Sequence, residues 1–215
     1  MRQRKFKNVH DLVTSHYEAW SEPNHRSQST MLSTLTLLPR NCLIIETGTS
    51  AWGCDSSRLF DSVANYLDGI FISIDIRKEA SEWLKWQTFN TTKFLIGDSI
   101  KTLEGVFRSN PKLKVDLAFL DSLDLDLNDP TKSENHHFEE FMAIAPYLKP
   151  GSFVVIDDTP STIDYFPISE RAQASAHFLN TGRIPGKGSL VLQEIQKFEN
   201  YKVISHDALL TIAKL

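Results

Sequence analysis

Apolar and polar positions fall into alternating blocks along this chain. Five short apolar runs appear in order, CLIIE (42–46), GIFISID (69–75), TKFLIGD (92–98), VDLAFLD (115–121) and SFVVIDD (152–158), and each ends on an acid. Between them lie DSSRLFDSVANYL, KEASEWLKWQTF, SIKTLEGVFRS and ENHHFEEFMAIAPYL, segments with helical spacing and helix-start residues. Near-continuous apolar strands alternating with helices predict a parallel sheet covered on both faces. Right-handed crossovers then bring the carboxyl ends of the strands to one rim, where open α/β sheets bind ligands. The five acids are therefore expected to converge on one cleft.

The two ends of the chain differ from this pattern. At the start, NVHDLVTSHYEAW reads as an amphipathic helix with Val9, Leu12, Val13, Tyr17 and Trp20 near one face. At the end, a Gly/Pro loop, TGRIPGKGS, and a helix-like LVLQEIQKF precede two strand candidates, YKVISH and ALLTIAKL, separated by about a turn. So close a pair can run antiparallel but cannot form a βαβ crossover. The expected organisation is one domain over 1–215, with helical segments over 1–39 and an α/β core over 40–215.

Composition narrows the function. With 215 residues, 41% hydrophobic and 23% charged, the chain is long and apolar enough for a full core. A formal charge of -4 and a pI near 6.0 exclude a general electrostatic grip on nucleic acid. The basic start, MRQRKFK, is followed by no apolar run, so neither a secretion signal nor a membrane span is expected. Cys42 in an apolar run and Cys54 in a polar loop suggest no disulfide framework or zinc site, which places the protein in the reducing cytoplasm. The seven histidines form no HxH or HExxH arrangement.

The strand ends carry the candidate chemistry. After the first run comes IIETGTSAWGCDSS, where Gly48 and Gly53 permit a sharp turn and close approach to a ligand. Asp55, Ser56 and Ser57 are available to cap the next helix, whose free N–H groups suit an anion. Asp75, closing FISID, is placed to accept hydrogen bonds from ribose hydroxyls. Asp121 closes the fourth run, and Asp157 and Asp158 close the fifth. If those strands are neighbours, three carboxylates crowd one volume, which is costly unless a cation or a shared proton relieves them. Oxygen ligands without nearby histidine or thiolate favour Mg²⁺ or Ca²⁺. Each acid taken singly is also what a helix cap looks like, so the reading rests on their recurrence.

Here a resemblance enters. ExGTSxxG after the first strand resembles motif I of class I S-adenosylmethionine-dependent methyltransferases, and LKPG before the fifth run closely resembles the turn that leads into the family's fifth strand. The resemblance implies a Rossmann-like seven-stranded α/β sandwich, order 3-2-1-4-5-7-6 with strand 7 antiparallel. It implies S-adenosylmethionine held by Glu46, Gly48, Thr49, Ser50, Gly53, Ser56, Asp75, Ile76, Asp98, Ser99 and Asp121. In the family an acid at Asp98 receives the adenine amino group. The trio Asp121, Asp157 and Asp158 is similar to the metal site of catechol-type, caffeoyl-CoA-type and macrolide-sugar O-methyltransferases. Relatives often carry a Lys or His base three residues after the strand-four Asp, where this chain has Asp124. With Asp121 itself, His136 and His137 at the next helix are the other catalytic candidates. TGRIPGKGS resembles the PGxG loop of cephalosporin-hydroxylase-like relatives and reads either as a mobile segment over the cleft, with Arg183 and Lys187 adding positive charge, or as a plain surface connection. Trp52, Trp83, Trp86, Tyr165 and Phe166 either line a pocket or fill the core.

The expected activity is divalent-metal-assisted O-methylation of a small hydroxylated acceptor; a homodimer is allowed. Two rivals are a nicotinamide-dependent oxidoreductase, against which the missing GxGxxG counts, and a non-catalytic S-adenosylmethionine-binding protein.

Overall fold

The computed structural model describes residues 6–49 and 55–215. Two helices come first, α1 (Val9–Trp20) and α2 (Gln28–Leu35). Strands and helices then alternate: β1 (Leu43–Thr47), α3 (Ser56–Tyr66), β2 (Ile70–Asp75), α4 (Lys78–Lys85), β3 (Thr92–Ile96), α5 (Ser99–Ser109), β4 (Val115–Leu120), α6 (Pro130–Ile144) and β5 (Leu148–Ile156). The chain finishes with α7 (Arg171–Thr181), α8 (Ser189–Ile195), β6 (Tyr201–His206) and β7 (Leu210–Lys214). The strands form one sheet in the order β3-β2-β1-β4-β5-β7-β6. Strands β1 to β5 run parallel, and β7 is antiparallel to both β5 and β6. Order and terminal hairpin are both as expected.

Strand alternation divides the core in two. Ile44, Phe71, Leu117 and Phe119 pack against α1, α2 and α3, whereas Leu43, Ile45, Ile74, Ala118 and Leu120 pack against α5, α6 and α8. In α1, Asn8 caps the first turn by accepting from the Asp11 N–H, and Val9, Leu12, Val13 and Tyr17 are buried. Trp20 departs from that stripe: it is exposed, with the Arg58 guanidinium 4.7 Å over its ring. Trp83 on α4 and Trp86 just after it are exposed, beside the half-covered edge strand β3. Phe166 is buried.

Two boundaries differ from the pattern reading. Strand β5 starts at Leu148, so LKPG lies inside it: Leu148 pairs with Val115, and the register then shifts to pair Leu117 with Phe153 around Gly151, whose φ is +87°. Helix α6 starts at Pro130, four residues before the expected ENHH, because proline suits a first helical turn whose N–H would have no partner anyway. Among the described residues no helix is long and apolar enough to cross a membrane.

Candidate active site

Register alone assembles the rim. Thr47 pairs with both Ile74 and Leu120, and Leu120 pairs with Ile156. The ladder runs one step further: the Gly48 N–H donates to Ile74 O at 2.8 Å, that of Asp121 to Thr47 O at 2.9 Å, and that of Asp157 to Leu120 O at 3.1 Å. Gly48, Asp121 and Asp157 thus stand side by side where the strands end. Gly48 has φ +82°, and a Cβ there would lie 2.2 Å from Asp121 O, so this crossing of two backbones requires glycine.

Next to this crossing is a cavity of about 130 Å³ whose walls include Gly48, Asp75, Ile76, Asp98 and Ser99, together with Ser122 and His136. Asp75 is buried and already engaged. Its Oδ2 accepts from the Thr49 N–H at 2.8 Å and from Arg77 Nη2 at 2.8 Å, and its Oδ1 accepts from the Arg77 N–H at 2.7 Å. Asp98 lines the cavity and also caps α5, accepting from the Lys101 N–H at 3.0 Å. His136 Nε2 lies 2.9 Å from Ser122 Oγ and 3.1 Å from Ser99 Oγ, tying α6 to the loop after β4 and to the first residue of α5.

Glu46 sits elsewhere than expected. Alternation along β1 turns it toward α3, where it is fully buried and accepts from Ser56 Oγ at 2.6 Å, Ser57 Oγ at 2.5 Å and Ser73 Oγ at 2.7 Å. Burial, only partly offset by those hydroxyls, pushes its carboxyl up to about 7. Ser56 consequently faces inward to Glu46, and Asp55, with φ +48°, is the side chain that caps α3. Thr49 is also buried, its hydroxyl 2.8 Å from Ser73 Oγ. Ser50 and Gly53, with Trp52, lie outside the described residues.

On the other side of Gly48, single ligand atoms of Asp121, Asp157 and Asp158 all lie within 4.8 Å of one another. Two cations of the chain reach them. Lys187, 1% exposed, donates from Nζ to Asp121 and stands 3.2 Å from Asp158 Oδ2. Arg26, from the α1–α2 connection, donates to Asp158 Oδ1 at 2.6 Å while lying 5.0 Å from the centre of the Tyr165 ring. Even so, burial and the Asp157 charge push the Asp121 carboxyl up to about 8.

No protein-family model matches the chain, and no curated protein does. Solved structures do. The MycE methyltransferase of the mycinamycin biosynthetic pathway, in complex with Mg, SAH and mycinamycin VI, aligns with 98% of this chain at 16% identity and a TM-score of 0.61. The chain spans 54% of that protein's length. CalS11, a TDP-rhamnose 3'-O-methyltransferase in calicheamicin biosynthesis, covers 95% of this chain over 92% of its own, at 17% identity and a TM-score of 0.56. The O-methyltransferase from Bacillus cereus in complex with SAH covers 96% over 90%, at 14% identity and a TM-score of 0.55. The chain has a methyltransferase fold.

Within this methyltransferase fold, the candidate catalytic side chains separate. His137 turns into the core, where burial lowers its ring to about 4 and Nδ1 donates to the Ser133 carbonyl at 2.8 Å. Adjacent helical residues diverge by about 100°, so the two histidines cannot share a face. His136 is the one at the cavity, and its hydrogen bond to Glu140 raises its pKa, favouring the charged form. Asp124 is exposed at the rim. Within the TGRIPGKGS segment, the Lys187 N–H donates to Asp158 O at 3.0 Å and the Gly188 N–H to Thr159 Oγ1 at 2.8 Å. Arg26, Arg77 and Lys187 were not expected on the acids. Arg77 alone had a local signal, two residues from Asp75.

Proposed function

We propose that this chain is an S-adenosylmethionine-dependent methyltransferase that methylates a hydroxyl group of a small molecule with the help of a divalent ion. One observation carries the reading: Ser122 lines the acid-walled cavity while its neighbour Asp121 belongs to the carboxylate trio, so a nucleoside pocket and a cation site share one wall. MycE, with Mg, SAH and mycinamycin VI bound, supports it from the side of fold.

Asp75 would accept from the ribose hydroxyls, with Arg77 giving up part of its fork, and Ile76 would lie against the base. Asp98 and Ser99 supply the polar groups at the adenine end. S-adenosylmethionine supplies the methyl group. The trio fits a hard divalent ion, Mg²⁺ or Ca²⁺, since its donors are all carboxylate oxygens and the protein already places a cation among them. Bound there, the ion supplies a Lewis acid and a template for the acceptor oxygen. Asp124, exposed at the rim, is better suited to take the acceptor's proton than His136, which Glu140 biases toward its charged form.

The test is label transfer from methyl-tritiated S-adenosylmethionine to a panel of catechols and nucleotide-linked or macrolide sugars. Transfer that EDTA abolishes and Mg²⁺ restores supports the proposal. Transfer indifferent to chelator removes its metal half.

A further inference from the structure

Lys187 is the feature that the proposed activity does not require. Its loop is built to hold it. A Cβ on Gly186 would come 3.0 Å from Thr159 Cα and 3.1 Å from Asp158 O, and one on Gly188 would come 2.9 Å from Thr159 Oγ1. Both glycines therefore let the loop lie flat on the backbone beyond β5, where the Lys187 and Gly188 N–H groups are bonded at 3.0 and 2.8 Å. The side chain then runs inward, fully covered, to the carboxylates of Asp121 and Asp158. A buried ammonium keeps its charge only when paired, and here the three acids provide the pairing.

An ion held by the same three carboxylates needs oxygens at about 2.0–2.6 Å. The Lys187 ammonium already occupies contact range of two of them, and two cations this close in a buried site repel strongly. We propose that Lys187 is a tethered counter-ion that competes with the divalent ion for Asp121, Asp157 and Asp158, so that the ion loads only as the 185–188 loop lifts. This rests on the metal half of the proposed function. The ammonium keeps three clustered acids folded without metal and couples metal occupancy to the 185–188 loop.

The experiment is Mg²⁺ titration calorimetry on the full chain and its Lys187→Met variant, with hydrogen exchange of the 185–189 segment in the wild type. Removing the competitor is expected to tighten Mg²⁺ binding at least tenfold, and saturating Mg²⁺ is expected to speed exchange at the Lys187 and Gly188 amides. Wild-type binding that K187M leaves equal or weakens overturns the inference alone. Absence of Mg²⁺ binding in both proteins overturns it together with the metal reading. If K187M does not fold, the wild-type exchange decides: slower or unchanged exchange with Mg²⁺ bound sinks the proposal.

Discussion

Glu46 makes the fold's stability depend on pH in a direction opposite to that of most carboxylates. Its carboxyl is fully buried, and three serine hydroxyls do not offset the lost hydration, so its pKa rises from 4.5 to about 7. A carboxyl raised on folding stabilises the folded state fully below its unfolded value, and that contribution is lost as pH climbs through the folded value. The window is therefore pH 4.5 to about 7. At about 1.4 kcal/mol per tenfold, the loss across it is about 3 kcal/mol. For a chain of this size that corresponds to roughly 6–12 °C in Tm. Glu46→Gln is neutral throughout, and its amide can still accept from two serines and donate to the third. The assay is chemical denaturation of both proteins at pH 5 and pH 8. The wild type is expected to lose about 2.5 kcal/mol more than E46Q between the two. Parallel profiles would refute the reasoning, because every other titrating group is common to both proteins.

Two further substitutions separate architecture from chemistry. Gly48→Ala places a Cβ against the Asp121 carbonyl in a left-handed backbone, and is expected to cost about 1–2 kcal/mol for backbone conformation alone, a Tm loss of at least ~2 °C, with weakened SAH binding in calorimetry. Asp157→Asn relieves a buried like-charge contact, since burial and Asp158 both raise the Asp157 carboxyl. D157N is therefore expected to melt no lower than wild type without metal, to bind SAH unchanged, and to lose Mg²⁺-dependent methyl transfer by roughly 100-fold or more.

The sheet and its rim were legible because near-continuous apolar runs with terminal acids encode both strand direction and strand ends. Asp75, Asp98, Asp121, Asp157 and Asp158 all reach that rim. Glu46 was read as facing the ligand, although alternation from Ile44 and Ile45 already turns it toward α3. His137 continues the buried stripe of Ser133, Phe141 and Ile144 on α6, a helical spacing that marks it as core. The pairing of Lys187 with Asp121, 66 residues away, and of Arg26 with Asp158, 132 away, has no local signature. Such contacts are fixed by where loops land once the sheet has formed. The start of α6 at Asp129-Pro130 was present as a helix-opening signal but lay hidden in the acid-rich DSLDLDLNDP.

The central claim is that carboxylates from separate strands meet around one nucleoside. Calorimetric titration with SAH, run beside NADH and repeated on Asp75→Asn, tests it most directly. One SAH per chain, at least tenfold weaker in D75N, and no heat from NADH is the predicted result. Saturable NADH binding with none for SAH would contradict the account.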